Sequence, residues 1–192
     1  MAINPAVFHK VNILDSCSIW NILSSLMLWS RAEQAACYFS CTQFVIYECL
    51  FKRRKIRTAA DDELKRRMTH ELKSARITAV HLDLEDLQEV EVLARRRNLG
   101  KGELSAIAFA RRTGHAILTD DQKARKLAAA VLSPQLVQTV PHLAAWLLYT
   151  GYIGDTEFDD LIKQHRAFGR PLGPHLETAR KLSLEARLAA GF

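Results

Sequence analysis

The sequence predicts an α/β layer fold: a central parallel sheet of four to five strands flanked by helices, with a helical C-terminal tail. Three observations predict it. Short apolar runs of strand length alternate with longer segments of helical period. Turn formers such as Asn98, Gly100, Gly102, Gly114 and Pro141 separate them. Asp15, Asp120 and Asp121 stand directly after two separate strand-like runs, at the edge where parallel sheets bind their ligands. Strands that return through helices pair in parallel, because each crossover carries the chain back to the same end of the sheet.

Residues 11–14 form the first buried strand. Ser16 or Ser18 caps the helix that follows, in which Ile19, Ile22, Leu23, Leu26 and Met27 recur at helical spacing. Residues 36–41 read as a small second strand. Thr42 is the next N-cap, and Phe44, Val45 and Glu48 then share one helical face, expected to be buried. A helix follows Thr58 to about residue 74, and residues 76–80 form a third strand. Residues 84–97 are helical, with Leu87, Val90 and Leu93 or Ala94 on one side. Residues 103–113 are helical again and stop at Gly114, whose missing Cβ suits the left-handed turn that ends helices. Residues 115–119 form a fourth strand, 122–131 a helix, and 136–140 a last strand that Pro141 stops. The remainder is mostly helical, with turns at Gly151, Gly154 and residues 170–174.

The 192 residues make one good-sized domain, with a core over about 10–155 and a C-terminal extension over about 156–192. Hydrophobic residues at 48% and charged ones at 25% provide a packed core and exclude wholesale disorder. No apolar run reaches the roughly 18–20 residues of a membrane span. The first ten residues lack the charged start and apolar stretch of a secretory signal. A cytoplasmic location without membrane association is expected. Cys17, Cys37, Cys41 and Cys49 then read as free thiols; a zinc site would need further well-spaced ligands. The net charge is +6, and residues 52–76 alone carry ten Lys or Arg against four acids. That block points to a polyanionic partner; a solvated basic helix is the alternative.

The acids decide the chemistry. Asp15, Glu48, Glu103 and the Asp120–Asp121 pair end strand-like runs or lie on apolar helix faces, where a charge is costly unless paired. Carboxylates sharing one such place repel each other, and a hard divalent cation with oxygen ligands is the usual remedy. The chain therefore reads as a metal-dependent enzyme. Each acid also has a structural alternative: Asp15 and Asp121 as turn or cap residues, Glu103 as a helix cap, Glu48 as an ion-pair partner of Lys52.

The segments Leu14-Asp15-Ser16, the inward Glu48, Leu99-Gly100-Lys101-Gly102-Glu103 with Ala106 and Ala110, and Leu118-Thr119-Asp120-Asp121 with Gln122-Lys123-Ala124-Arg125 resemble the PIN-domain ribonucleases, VapC-like toxin ribonucleases among them. The order and spacing match over roughly residues 10–155, and the helical tail resembles the C-terminal ends of many bacterial members. The resemblance implies Mg²⁺ or Mn²⁺ held by Asp15, Glu103, Asp121 and Asp120, with Glu48 and Thr119 completing the catalytic set. It ranks Asp121 ahead of Asp120. Many members carry asparagine or serine where this chain has Cys17. It further implies hydrolysis of RNA phosphodiesters. Many relatives are toxins, so RNA, an antitoxin protein and a second copy of the chain are the implied partners. Lys52, Arg53, Arg54, Arg57, Lys123 and Arg125 would hold the RNA backbone by charge. No aromatic-rich motif in the sequence points to the reading of bases. Two other classes remain: a catalytically silent PIN-like module that binds RNA or protein, and a nuclease for structured DNA, for which extra acids are missing.

Overall fold

In the computed structural model, residues 3–53, 58–95 and 98–191 are described. The elements run β1 (Val11–Leu14), α1 (Ser16–Leu23), α2 (Leu26–Gln34), β2 (Tyr38–Thr42), α3 (Gln43–Ile46), a π-helical turn (Tyr47–Phe51), α4 (Ala59–Lys73), β3 (Ile77–Val80), α5 (Leu84–Ala94), α6 (Lys101–Thr113), β4 (Ala116–Leu118), α7 (Gln122–Val131), a 3₁₀ turn (Pro134–Leu136), β5 (Val137–Gln138), α8 (Val140–Tyr149), α9 (Asp155–Ala167) and α10 (Gly173–Ala190). The five strands form one sheet in the order β3-β2-β1-β4-β5, and every pair is parallel. The predicted α/β fold with a parallel sheet flanked by helices is therefore what the chain adopts.

The chain divides into two compact units. The sheet unit holds Val11–Trp20 and Tyr38–Gln138. Its strand order reverses direction between β1 and β4: β2 and β3 lie beyond β1 on one side, β5 beyond β4 on the other. Such a reversal leaves a crevice at the carboxyl ends of the two central strands. Helix α6 packs on β1, β2 and β4 through its small face, where Ala106, Ile107 and Ala110 are fully buried. Ile13, Ile117 and Val137 from the sheet meet that face, with Leu93 from α5 and Leu127 from α7 behind it. Small residues on α6 let the helix lie close to the sheet, which fixes where its first turn ends up. Gly114 takes the left-handed conformation at φ 69°, as its place after α6 predicts. A polar pair sits inside this unit: Gln138 Nε2 donates to Asn12 Oδ1 at 2.7 Å, and both side chains are buried.

The helical unit holds Met1–Lys10, Asn21–Cys37 and Thr139–Phe192. Within it α8 and α10 make the main packing, and Phe8 stacks on Trp146 with ring centroids 5.3 Å apart. Arg180 of α10 grips Asp155 with two bonds of 2.6 Å and Asp159 with a third of 2.6 Å, tying α10 to the start of α9. His165 is fully buried, and burial lowers its pKa to about 4, so it is neutral at ordinary pH.

Several boundaries differ from expectation. The single helix expected over Ile19 to Met27 is broken: Ser25 turns extended and accepts the N–H of Leu28 at 3.1 Å, starting α2 anew. The last strand is shorter than residues 136–140. Thr139 caps α8, and Pro141 lies in that helix's first turn instead of stopping a strand. A proline at a helix start loses nothing, because its missing N–H would be unsatisfied there anyway. The helix expected over 84–97 ends at Ala94, and residues 96 and 97 lie outside the described set. All four cysteines are free thiols, and burial pushes Cys37 and Cys41 up to about 12. Among the described residues no helix is long and apolar enough to cross a membrane.

Candidate functional site

Asp15 follows β1 directly and has 0% of its surface exposed. Its Oδ1 accepts the N–H of Ser18 at 2.7 Å, so it caps α1. Its Oδ2 accepts the hydroxyl of Thr119 at 2.5 Å, from the residue that follows β4. Strand pairing puts Leu14 beside Leu118, so the two segments emerge side by side at the point where the strand order reverses. Thr119 also accepts the N–H of Asp121 at 3.3 Å. Asp121 Oδ1 in turn takes the N–H groups of Lys123 at 2.7 Å and Ala124 at 2.8 Å, capping α7.

The other two acids come from α3 and α6. Thr42 caps α3, and its hydroxyl lies 2.6 Å from that of Ser105 on α6, deep inside the unit. This contact sets the start of α3 against the first turn of α6. The chain then widens to i→i+5 bonding, Lys52 N–H to Tyr47 carbonyl at 2.8 Å. Such π-turns re-aim side chains and recur at functional sites. Glu48 in this turn accepts the hydroxyl of Ser16 at 2.7 Å on Oε2 and the N–H of Gly102 at 3.0 Å on Oε1. Glu103 accepts the N–H of Gly100 at 2.8 Å on Oε2, closing the first turn of α6.

The acids sense each other. Burial holds the Asp15 carboxyl up at about 6, opposed by its bonds from Thr119 and Ser18 and reinforced by the charge of Asp120. Glu103 is also raised, by burial first and then by the charges of Asp121, Asp15 and Glu48, against the Gly100 bond. The charges of Asp120, Asp121 and Glu48 thus each reach Asp15 or Glu103. Three of the structural alternatives are also realised: Asp15, Glu103 and Asp121 do cap helices. Glu48 pairs with Ser16 and Gly102 rather than in the alternative pairing with Lys52.

A family model of the PIN domain matches residues 39–132. The chain carries a PIN domain. PIN domains are typically nucleases that use divalent metal ions, so in broad terms this one belongs with the hydrolases. The matched stretch contains Glu48, Glu103, Thr119, Asp120 and Asp121, and Asp15 lies outside it, 24 positions before its start. No curated protein sequence gives a significant match.

The donor set of this PIN domain fits a hard cation: oxygens only, from acids that repel one another. Among the described residues no hydrogen bond falls on Asp121 Oδ2 or Glu103 Oε1, so each carboxylate has an oxygen to give. The side chains are nevertheless turned onto backbone N–H groups and hydroxyls, and no three His, Cys, Asp or Glu among the described residues stand ready-made as a metal cage.

The expected RNA-contact residues are scattered in their placement. Lys52 and Arg53 are exposed just after the π-turn, and Lys123 is exposed on the first turn of α7. Arg125 is half-buried, and its Nε is enclosed without a hydrogen-bond partner among the described residues. Arg54 and Arg57 lie outside the described residues. The sequence reading missed Ser16 and Gly102 as the partners of Glu48. Both neighbour named acids, which was the available signal. It also missed an aromatic-walled cavity. The face of Phe44 was expected to be buried, yet Phe44 is half-exposed and Tyr47 is 58% exposed beside Glu48. The π-turn accounts for Tyr47, since α-helical spacing does not locate side chains beyond Ile46; Phe44 lies before it, in α3.

Proposed function

We propose that this PIN domain is an endoribonuclease that hydrolyses RNA phosphodiesters with Mg²⁺ or Mn²⁺. The observation that carries the reading is the meeting of Asp15, Glu48, Glu103, Asp120 and Asp121, from separate segments, around the reversal point of the sheet. Asp15, Glu103, Asp121 and Asp120 would hold the cation. Once bound, it supplies positive charge at the phosphate oxygens. The protein's own groups do the rest. Thr119 and Ser18 fix the rotamer of Asp15 through one bond to each oxygen. Glu48, steadied by Ser16 and Gly102, would orient the attacking water and take its proton. Lys52, Arg53, Arg54, Arg57, Lys123 and Arg125 attract the RNA backbone, which makes binding salt-dependent.

We read the chain as a single PIN-like domain acting in the cytoplasm, as the toxin of a toxin–antitoxin pair, with an antitoxin and a second copy of itself as protein partners. One observation favours a second reading, a silent binding module: three of the acids already serve as caps, and no metal cage is preformed among the described residues.

Metal add-back separates the two readings. The purified protein is dialysed against EDTA, then given Mg²⁺ or Mn²⁺ with a single-stranded RNA. Cleavage lost on dialysis and restored by either ion, with circular dichroism unchanged throughout, is the expected result. RNA bound but never cleaved at any metal concentration would transfer the assignment to the binding module. Loss of helix on dialysis, with zinc recovered from the protein, would mean that the thiols bind a structural metal.

A further inference from the structure

A cavity of about 460 Å³ opens beside the acids and shares Glu48 and Gly100 with them. It is within the range of about 300–1,000 Å³ typical of sites for small molecules and cofactors. Phe44 and Tyr47 form its aromatic walls, Lys52 and Lys101 its charged rim, and Gln43 adds an amide. The Lys101 ammonium lies 5.9 Å from the centre of the Phe44 ring, and Tyr47 stands 58% exposed. Apolar ring faces flanked by cations match a nucleotide unit: a flat base to stack and a phosphate to neutralise. Single-stranded RNA is bound in this way, its unstacked bases lying on aromatic side chains.

Position specifies the occupant further. Glu48 is both a wall of this cavity and a member of the acidic cluster, with one oxygen on Ser16 and the other on Gly102. A base seated between Phe44 and Tyr47 therefore belongs to a nucleotide next to the phosphate that faces the acids. A duplex keeps its bases stacked and cannot offer one. We infer that the Phe44–Tyr47 cavity is a base-stacking subsite that selects an unpaired nucleotide flanking the scissile phosphate. Lys52 and Lys101 screen that nucleotide's phosphate. This rests on the ribonuclease reading for its meaning, but the binding itself needs no catalysis.

The test is therefore made without metal, in EDTA, by fluorescence anisotropy. The probes are a labelled single-stranded RNA decamer, a decamer of the same length with all bases removed, and the corresponding duplex. Tyr47 is exposed, and Tyr47→Ala leaves its backbone bond to Lys52 in place. Wild type should bind the base-bearing single strand at least about tenfold more tightly than the abasic strand or the duplex. Tyr47→Ala should erase that preference, leaving affinity for the abasic strand unchanged, and Tyr47→Trp should keep it. Equal binding of all three probes by wild type, or an undiminished preference in Tyr47→Ala, overturns the subsite. So does a Tyr47→Ala variant that keeps wild-type RNA affinity while a homodimer dissociates in sedimentation, since the cavity would then be a protein contact. Absence of cleavage would count against the ribonuclease reading alone.

Discussion

Asp15 is the residue on which the site turns, because it is charged where charge is least welcome. Its folded pKa is about 6, and burial is the main cause. The value for an unfolded aspartate is about 3.9. A raised folded value means that the native chain holds this proton more tightly than the unfolded one. That contribution is fully present below about pH 4 and is lost as pH rises through about 6. Above that, the ionised Asp15 costs the metal-free protein about 3 kcal/mol. Asp15→Asn should therefore raise the thermal midpoint of metal-free protein at pH 7.5, with the gain shrinking to nothing near pH 4. A scanning-fluorimetry series in EDTA across that pH range checks it; equal midpoints at pH 7.5 would mean that Asp15 is not a strained charge. Asp15 and Asp121 were legible in the sequence because each directly follows an apolar run. Their bonds to Ser18, Lys123 and Ala124 became visible only once the helices had direction and the first-turn N–H groups had places to point.

At the scale of the element, the first turn of α6 and the π-turn act as a pair. Gly102 is already helical, although the sequence reading placed it in the break before the helix. A Cβ added there would come within 2.8 Å of the Glu48 carboxyl carbon and closer still to its Oε2, which accounts for the glycine. Because the obstacle is the tip of a flexible side chain, the helix can keep its shape while Glu48 moves away. Gly102→Ala should thus gain up to about 1 kcal/mol of helix stability and at the same time lose activity by displacing Glu48. Thermal melting and RNA cleavage measured on the same preparation check it; a variant that is more stable and fully active would show that Glu48 has no part in the reaction. The π-turn was not legible. Nothing in a run such as Tyr47-Glu48-Cys49-Leu50-Phe51 distinguishes i→i+5 from i→i+4 bonding, and Tyr47, 58% exposed, opens that turn.

For the whole molecule, strand order explains why site residues distant in sequence become neighbours. Asp15 and Thr119 are 104 positions apart, yet pairing of β1 with β4 sets them side by side. The alternation of strand-like and helical runs made the parallel sheet predictable, and with it the edge where the acids gather. It could not reveal that β5 is only Val137–Gln138, since Thr139 and Pro141 serve a strand's end and a helix's start equally well. The central claim is that the acids at this edge perform hydrolysis and are not only helix caps. Its most direct test is a single-turnover measurement on one RNA strand with saturating Mn²⁺, recording affinity and cleavage rate for wild type and Asp15→Asn together. The account predicts that affinity stays within about twofold while the rate falls about a hundredfold or more. Cleavage by Asp15→Asn at the wild-type rate would contradict it.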